Sequence, residues 1–185
     1  MPADPKLKVP DIEIDVLVVG AGGCGLVAAI AADAAGASVA ILEKQTRLAG
    51  NTALSSGSIP GAGTRLQAAA GVSDSPALFI DDLMRVSGRH EAEHLTERLA
   101  HLSAELVEWL IDEAHVSLSL VSGYRHVGHS VTRLHAPPSR QGADLLADLE
   151  REAARRGIPL ALGQPVTALL VENGRVEGAL ARDAQ

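Results

Sequence analysis

The strongest constraint on this chain is a set of glycines wedged between an apolar run and a helix-forming run. Val16-Leu17-Val18-Val19 is apolar without alternation, has the length of a strand, and leads directly into Gly20-Ala21-Gly22-Gly23-Cys24-Gly25. Strands that are apolar on both faces belong inside a parallel sheet covered by helices. Residues 23–35 are then dominated by Ala, with Leu, Val and Ile, and Gly36 follows as a helix C-terminal glycine. Ser38-Val39-Ala40-Ile41-Leu42 is a second strand of the same buried kind, closed by Glu43. Strand, tight turn, helix and strand make one βαβ unit, which takes about 30 residues. The expected fold class is α/β, a Rossmann-like domain on a parallel sheet.

The glycine cluster fits G-x-G-x-x-G, and each position has a physical task. Gly20 permits the tight turn, Gly22 lets the backbone approach a pyrophosphate, and Gly25 lets helix and strand pack closely. The helix N-terminus adds unsatisfied N–H groups and a partial positive charge for that pyrophosphate. Glu43 stands close to the ~20-residue spacing at which such units place an acid. It can accept hydrogen bonds from adenosine ribose hydroxyls, and its charge repels a 2′-phosphate. These residues predict a dinucleotide and disfavour NADP. They do not separate NAD from FAD, because both bind through adenosine and pyrophosphate. The bland alternative is a strand-to-helix turn that binds nothing, and the placement between strand, helix and acid argues against it.

Composition narrows the partners. Lys and Arg number 16 against 23 Asp and Glu, a net charge of −7, so the chain lacks the basic surface that phosphate-backbone binding draws on, and nucleic acid is not expected. Cys24 is the single cysteine, which excludes an internal disulfide and fits a reducing cytoplasm. The uncharged residues 16–32, with Lys6 and Lys8 upstream, have the outline of a membrane segment or signal peptide. Asp11, Glu13 and Asp15 stand directly against them and glycines interrupt them, so neither a membrane span nor a signal is expected. Residues 1–11, with Pro2, Pro5 and Pro10, are expected to be a mobile leader, and residues 12–185 one domain.

Downstream, residues 50–63 read as a long ordered loop rich in Gly and Ser. Ser75-Pro76, an N-cap followed by proline at the first helical position, opens a helix to about Arg89. A second helix is expected over residues 92–114, with Leu95, Leu99, Leu102, Leu106, Trp109 and Leu110 on one face and Trp109 packed in the core. Residues 116–120 and 124–131 have the look of short strands. Residues 142–156 form a helix with Leu145, Leu146 and Leu149 inward, and residues 158–162 a short strand. Residues 166–171 and 175–181 flank Asn173-Gly174, the strongest short hairpin signal.

Glu43-Lys44 followed by Gly50-Asn51-Thr52-Ala53-Leu54-Ser55-Ser56-Gly57-Ser58 resembles the flavin loop of the fumarate reductase/succinate dehydrogenase flavoprotein family. That family also includes urocanate reductases and 3-ketosteroid dehydrogenases. Arg133-Leu134-His135, Gly142 with the helix after it, Gly157-Ile158 and the hairpin follow in the same order, so the resemblance covers residues 15–182. It implies FAD rather than NAD. It implies adenosine and pyrophosphate at Gly20, Gly22, Gly23, Cys24 and Gly25, and ribose on Glu43 with Lys44 beside it. The flavin and ribityl chain would run along Asn51, Thr52, Ser56, Gly57 and Ser58, and the Val166 backbone would meet adenine. Small and hydroxyl side chains suit such a loop, because they permit close approach to a flat ring and offer donors to its polar edge. Family members often carry glycine where this chain has Ala49 and Ser58. Respiratory members attach FAD covalently through a histidine in this loop, and Asn51 matches that position, so the FAD is expected to be noncovalent.

Other residues carry weaker signals. Cys24 sits at a helix N-terminus, but with no second cysteine a dithiol cycle is impossible and a small packing residue is the simpler reading. Arg125, His126, His129, Arg133 and His135 form a positive cluster that could face an acidic substrate, although a solvated loop is the default. They lack the Cys or third spaced ligand of a metal site, so no metal is expected. His90, His94, His101 and His115, and likewise Glu105, Glu108, Asp112 and Glu113, read as solvent-facing.

The resemblance further implies a capping domain that clamps substrate on the flavin, a third strand after the hairpin and a late Gly-Asp segment. None of these precedes Gln185, and the chain is expected to be the N-terminal part of a flavin-dependent oxidoreductase, with no catalytic residue of its own assigned. The family chemistry is hydride transfer between flavin N5 and a C–C or C=C bond beside an electron-withdrawing group, with a small unsaturated acid or ketone as substrate. A dinucleotide-binding module without turnover and an NAD-linked dehydrogenase are the competing expectations.

Overall fold

The structure is a computed structural model and describes residues 13–182. The leader expected over residues 1–11 lies outside the described residues. In chain order the elements are β1 (Val16–Val19), α1 (Gly23–Ala34), β2 (Val39–Leu42), α2 (Asn51–Leu54), β3 (Ile59–Pro60), α3 (Arg65–Ala69), α4 (Pro76–Ser87), α5 (Glu93–Asp112), β4 (Ser119–Leu120), β5 (Leu134–Ala136), α6 (Gly142–Arg155), β6 (Leu160–Ala161), β7 (Val166–Glu172) and β8 (Arg175–Ala181).

The expected βαβ unit is present. β1 and β2 pair in parallel from Val16 opposite Val39 to Val19 opposite Leu42, and β6 joins the far edge of β2, also in parallel. Leu26, Ala29 and Ile30 of α1 meet Val18 and Ile41 of the sheet and Leu145, Leu146 and Leu149 of α6 in one buried cluster. Burial of each large aliphatic side chain there stabilises by about 1.5–3 kcal/mol. Trp109 packs on the edge of this cluster, as core packing predicts. β7 and β8 form the expected antiparallel hairpin, turning through Asn173 and Gly174, both at positive φ as a type I′ turn requires.

Residues 50–63 hold more structure than a loop. One turn of helix, α2, and a two-residue strand, β3, lie inside them. Neither is long enough to leave a period in the sequence. α2 is fixed against the start of α6: Gly142 N donates to Ser55 O at 2.7 Å, and a Cβ at Gly142 would stand 1.9 Å from Thr52 O.

The expected face of α5 packs on the core only toward its C-terminal end, at Trp109 and Leu110. Leu95, Leu99, Leu102 and Leu106 are 57%, 52%, 43% and 41% exposed, while Ala100, Ser103, Val107 and Leu110 are buried. Small residues let the buried row approach its neighbours closely, and the Ser103 hydroxyl accepts the Ala62 N–H and donates to Ala100 O. Periodicity identified an apolar stripe that shares Leu110 with the packing row and otherwise lies beside it. The strand expected over residues 124–131 is also absent, and turns and bends stand in its place. β5 already has both edges filled, by β3 and by β4, so no further strand can join it.

Candidate functional site

The glycine turn sits at the carboxyl end of β1. Gly20, at φ +102, donates its N–H to Leu42 O at 2.7 Å and so ties the turn to β2. A Cβ on Gly25 would stand 1.9 Å from Gly20 O, so only glycine lets α1 press onto the turn. Gly22 is the reverse case: it is the N-cap of α1, in extended backbone, and nothing lies within 4 Å of a Cβ built on it. No side chain caps α1 at Gly22. A helix N-terminus whose N-cap residue carries no side chain leaves room for a bound anion such as pyrophosphate. Gly23 N donates to Thr52 Oγ1 at 3.1 Å, which draws the 50–58 segment to the same helix end.

Glu43 closes this arrangement from β2. One carboxylate oxygen accepts the Ala21 N–H and the other the Gln45 N–H, each at 2.8 Å. Burial works against the charged form, but these hydrogen bonds and the Lys44 charge outweigh it and hold the carboxyl below the usual range. Glu43 is therefore ionised at neutral pH and braces the turn, while each oxygen retains a lone pair for a ligand hydroxyl. Gly20, Glu43, Lys44 and Val166 share one cleft of about 260 Å³ with Gln164 and Pro165. The last two were not singled out in the sequence. They follow β6, and Gln164 N donates to Glu43 O at 2.8 Å, a tertiary contact with no local signature.

The remaining expected residues separate into two groups. Asn51 is exposed and Thr52 half-buried at the start of α2, beside Gly23. Gly57 is buried against Gly142 and Pro137. Ser56 and Ser58, joined by a 2.9 Å hydrogen bond, line a second cavity of about 520 Å³ with Tyr124, His126, Leu134 and Arg140. Cys24 is exposed in the first turn of α1.

The positive cluster of residues 125–135 is divided by burial. His126 lines the second cavity, whereas Arg133 and His135 are fully buried. Arg133 donates from Nε and Nη2 to the two oxygens of Asp74, at 2.8 and 2.7 Å, and from Nη1 to Asp82 at 2.8 Å. Its guanidinium carbon lies 4.5 Å from the centre of the Phe79 ring. Asp82 also accepts from the Ser130 backbone and hydroxyl and from Arg85. Burial opposes charge on Asp82, but these donors together push its pKa well down. His135 is lowered by burial and meets Thr64 Oγ1 at 2.9 Å. These two residues are structural, not part of a solvated loop. Alternating side-chain direction in β5 puts Leu134 in the cavity wall between them.

His90, His94, His101, His115, Glu105, Asp112 and Glu113 are exposed, as expected, while Glu108 is half-buried and accepts the Arg65 N–H. Among the described residues, no group of three His, Cys, Asp or Glu could hold a metal ion, and no helix is long and apolar enough to cross a membrane.

Residues 15–185 match the FAD binding domain family. The NADH:fumarate oxidoreductase of Klebsiella pneumoniae is 34% identical over 166 residues, 89% of this chain and 18% of that protein. The urocanate reductase of Eggerthella lenta is 32% identical over 142 residues, 76% of this chain and 23% of that protein. Among solved structures, the open conformation of a flavocytochrome c3 fumarate reductase superposes with a TM-score of 0.82 at 34% identity, covering 91% of this chain and 30% of that one. The chain thus spans less than a third of the length of these relatives. Its parallel sheet, its glycine turn and this similarity agree, and the chain belongs to the FAD binding domain family of the fumarate reductase/succinate dehydrogenase flavoproteins.

Proposed function

We propose that residues 12–185 form one FAD-binding domain serving a flavin-dependent oxidoreductase, with FAD held noncovalently. The observation that carries the reading is the contrast between Gly25, sealed against Gly20, and Gly22, open at the start of α1 next to the Ala21 N–H that Glu43 accepts. In this reading the first turn of α1, from Gly22 to Gly25, binds the pyrophosphate. Glu43 binds ribose hydroxyls with Lys44 alongside, and the Val166 backbone meets adenine. Asn51, Thr52, Ser56, Gly57 and Ser58 lie along the ribityl chain and flavin. Asn51 has no nucleophile able to bond the flavin, which favours a noncovalent cofactor. Bound FAD would supply hydride transfer at N5 to or from a carbon beside an electron-withdrawing group, in a small unsaturated acid or ketone. The single, unpaired cysteine suits a cytoplasmic protein.

The test is the absorbance of the purified chain after incubation with FAD or NAD, followed by acid precipitation. A flavin spectrum that moves entirely into the acid supernatant is expected. Binding of NAD in place of FAD would overturn the cofactor, and a yellow pellet would overturn noncovalent attachment.

A further inference from the structure

The second cavity shares Ser56 and Ser58 with the cofactor reading, which leaves its guanidinium, imidazole and phenol unused. It carries one guanidinium, one imidazole, two serine hydroxyls and a phenol around the buried Leu134, and none of its lining residues is a carboxylate. That is notable in a chain of net charge −7. Arg140 has no ion-pair partner among the described residues, and its backbone is held at φ +58, in the left-handed region that non-glycine residues rarely occupy. Its N–H donates to Pro137 O at 2.9 Å, and two residues later Gly142 is locked to Ser55. The turn that carries the guanidinium is thus pinned at both ends, and backbone strain of this kind persists where the surroundings impose it. His126 Nδ1 lies 2.9 Å from Val127 O, which can only accept, so Nδ1 carries the ring proton. The Ser56 hydroxyl lies 2.9 Å from that of Ser58, so one of the pair has a proton to offer the cavity.

We propose that Arg140, with His126 and the Ser56–Ser58 hydroxyls, forms an anion subsite that binds the carboxylate of the substrate and orients its carbon chain along Tyr124 and Leu134. This assignment rests on the flavin reading, which puts the reacting ring beside the same serines. A guanidinium is suited to a carboxylate through paired N–H donors, and Tyr124 supplies an apolar face for a planar unsaturated chain.

Calorimetric titration of the full chain with cinnamate and with its neutral amide, cinnamamide, with and without FAD, tests the assignment. Cinnamate is expected to bind and cinnamamide to bind at least tenfold more weakly. Arg140→Gln and Arg140→Gly should each lower cinnamate affinity at least tenfold while leaving FAD affinity within twofold. Arg140→Gly also relieves the positive φ, so its melting temperature should not fall and a folding defect cannot explain the loss. Equal binding of acid and amide, or unchanged cinnamate affinity in both variants, would overturn the subsite. Loss of FAD in either variant would mean that Arg140 faces the cofactor and would overturn it as well. A chain that takes no FAD yet distinguishes cinnamate from its amide through Arg140 would sink the flavin reading and leave the anion subsite standing.

Discussion

Arg133→Met would leave Asp74 and Asp82 buried without the cation they share. Both carboxylates and the guanidinium are fully enclosed, and removing one partner of such a group costs about 3–5 kcal/mol, because the remaining charge is desolvated and unpaired. The structure places the expected cost near the lower end. Asp74 keeps donors from Gln67 and Ser75, Asp82 keeps Ser130 and Arg85, and methionine can still pack on the Phe79 ring. For a domain of this size about 3 kcal/mol corresponds to a fall of roughly 6–12 °C in melting temperature. Thermal melts at pH 7 without FAD would measure it. Adding Asp74→Asn should recover part of the loss, since it removes one of the stranded charges. A melting point for Arg133→Met within 2 °C of the parent, or a double variant less stable than the single one, would show that the network does not hold this region together.

Three further outcomes follow from the same structure. Gly22→Ala should melt as the parent does, within about 0.5 kcal/mol, because its Cβ meets open space and its φ of −73° suits alanine, yet it should lose FAD affinity by titration. Retained affinity would remove the pyrophosphate from that position. Glu43→Gln should weaken FAD binding by about 1–3 kcal/mol in calorimetry and also loosen the turn, because an amide nitrogen cannot accept the N–H of Ala21 or Gln45 that the second oxygen accepts. Unchanged affinity would take Glu43 out of the site. Glu152 is held down to about 2 by Arg155, against burial and with help from Arg156. A depressed carboxylate contributes stability above its unfolded value of 4.5 and loses it as pH falls toward 2, so the contribution, on the order of 2–3 kcal/mol, should vanish across that window. The gap in melting temperature between the parent and Glu152→Gln should close over the same range, and a gap independent of pH would refute the ion pair's role.

The βαβ unit, its glycine turn, the acid at Glu43 and the terminal hairpin were all legible because each is a local pattern. A buried strand, a helix N-terminus and an Asn-Gly turn are specified by residues adjacent in the chain. The FAD family was legible for the same reason, through the ordered segments from Glu43 to the hairpin. Residues 50–63 were only half legible, since one helical turn and a two-residue strand leave no period to read. On α5 the leucines marked an apolar stripe, but which row packs depends on how closely α4 and the Ala62 backbone approach, and the smaller row of Ala100 and Ser103 permits the closer contact. The histidines and arginines of residues 125–135 looked alike in sequence. Only the tertiary fold, by filling both edges of β5 and bringing Asp74 and Asp82 beneath it, buried Arg133 and His135 and left His126 at the cavity with Arg140. The sequence by itself determined the βαβ unit, its glycine turn and the hairpin, because their physics is local. Which charges are enclosed and which line a cavity was decided by segments far apart in the chain, because burial is a property of what else occupies the space.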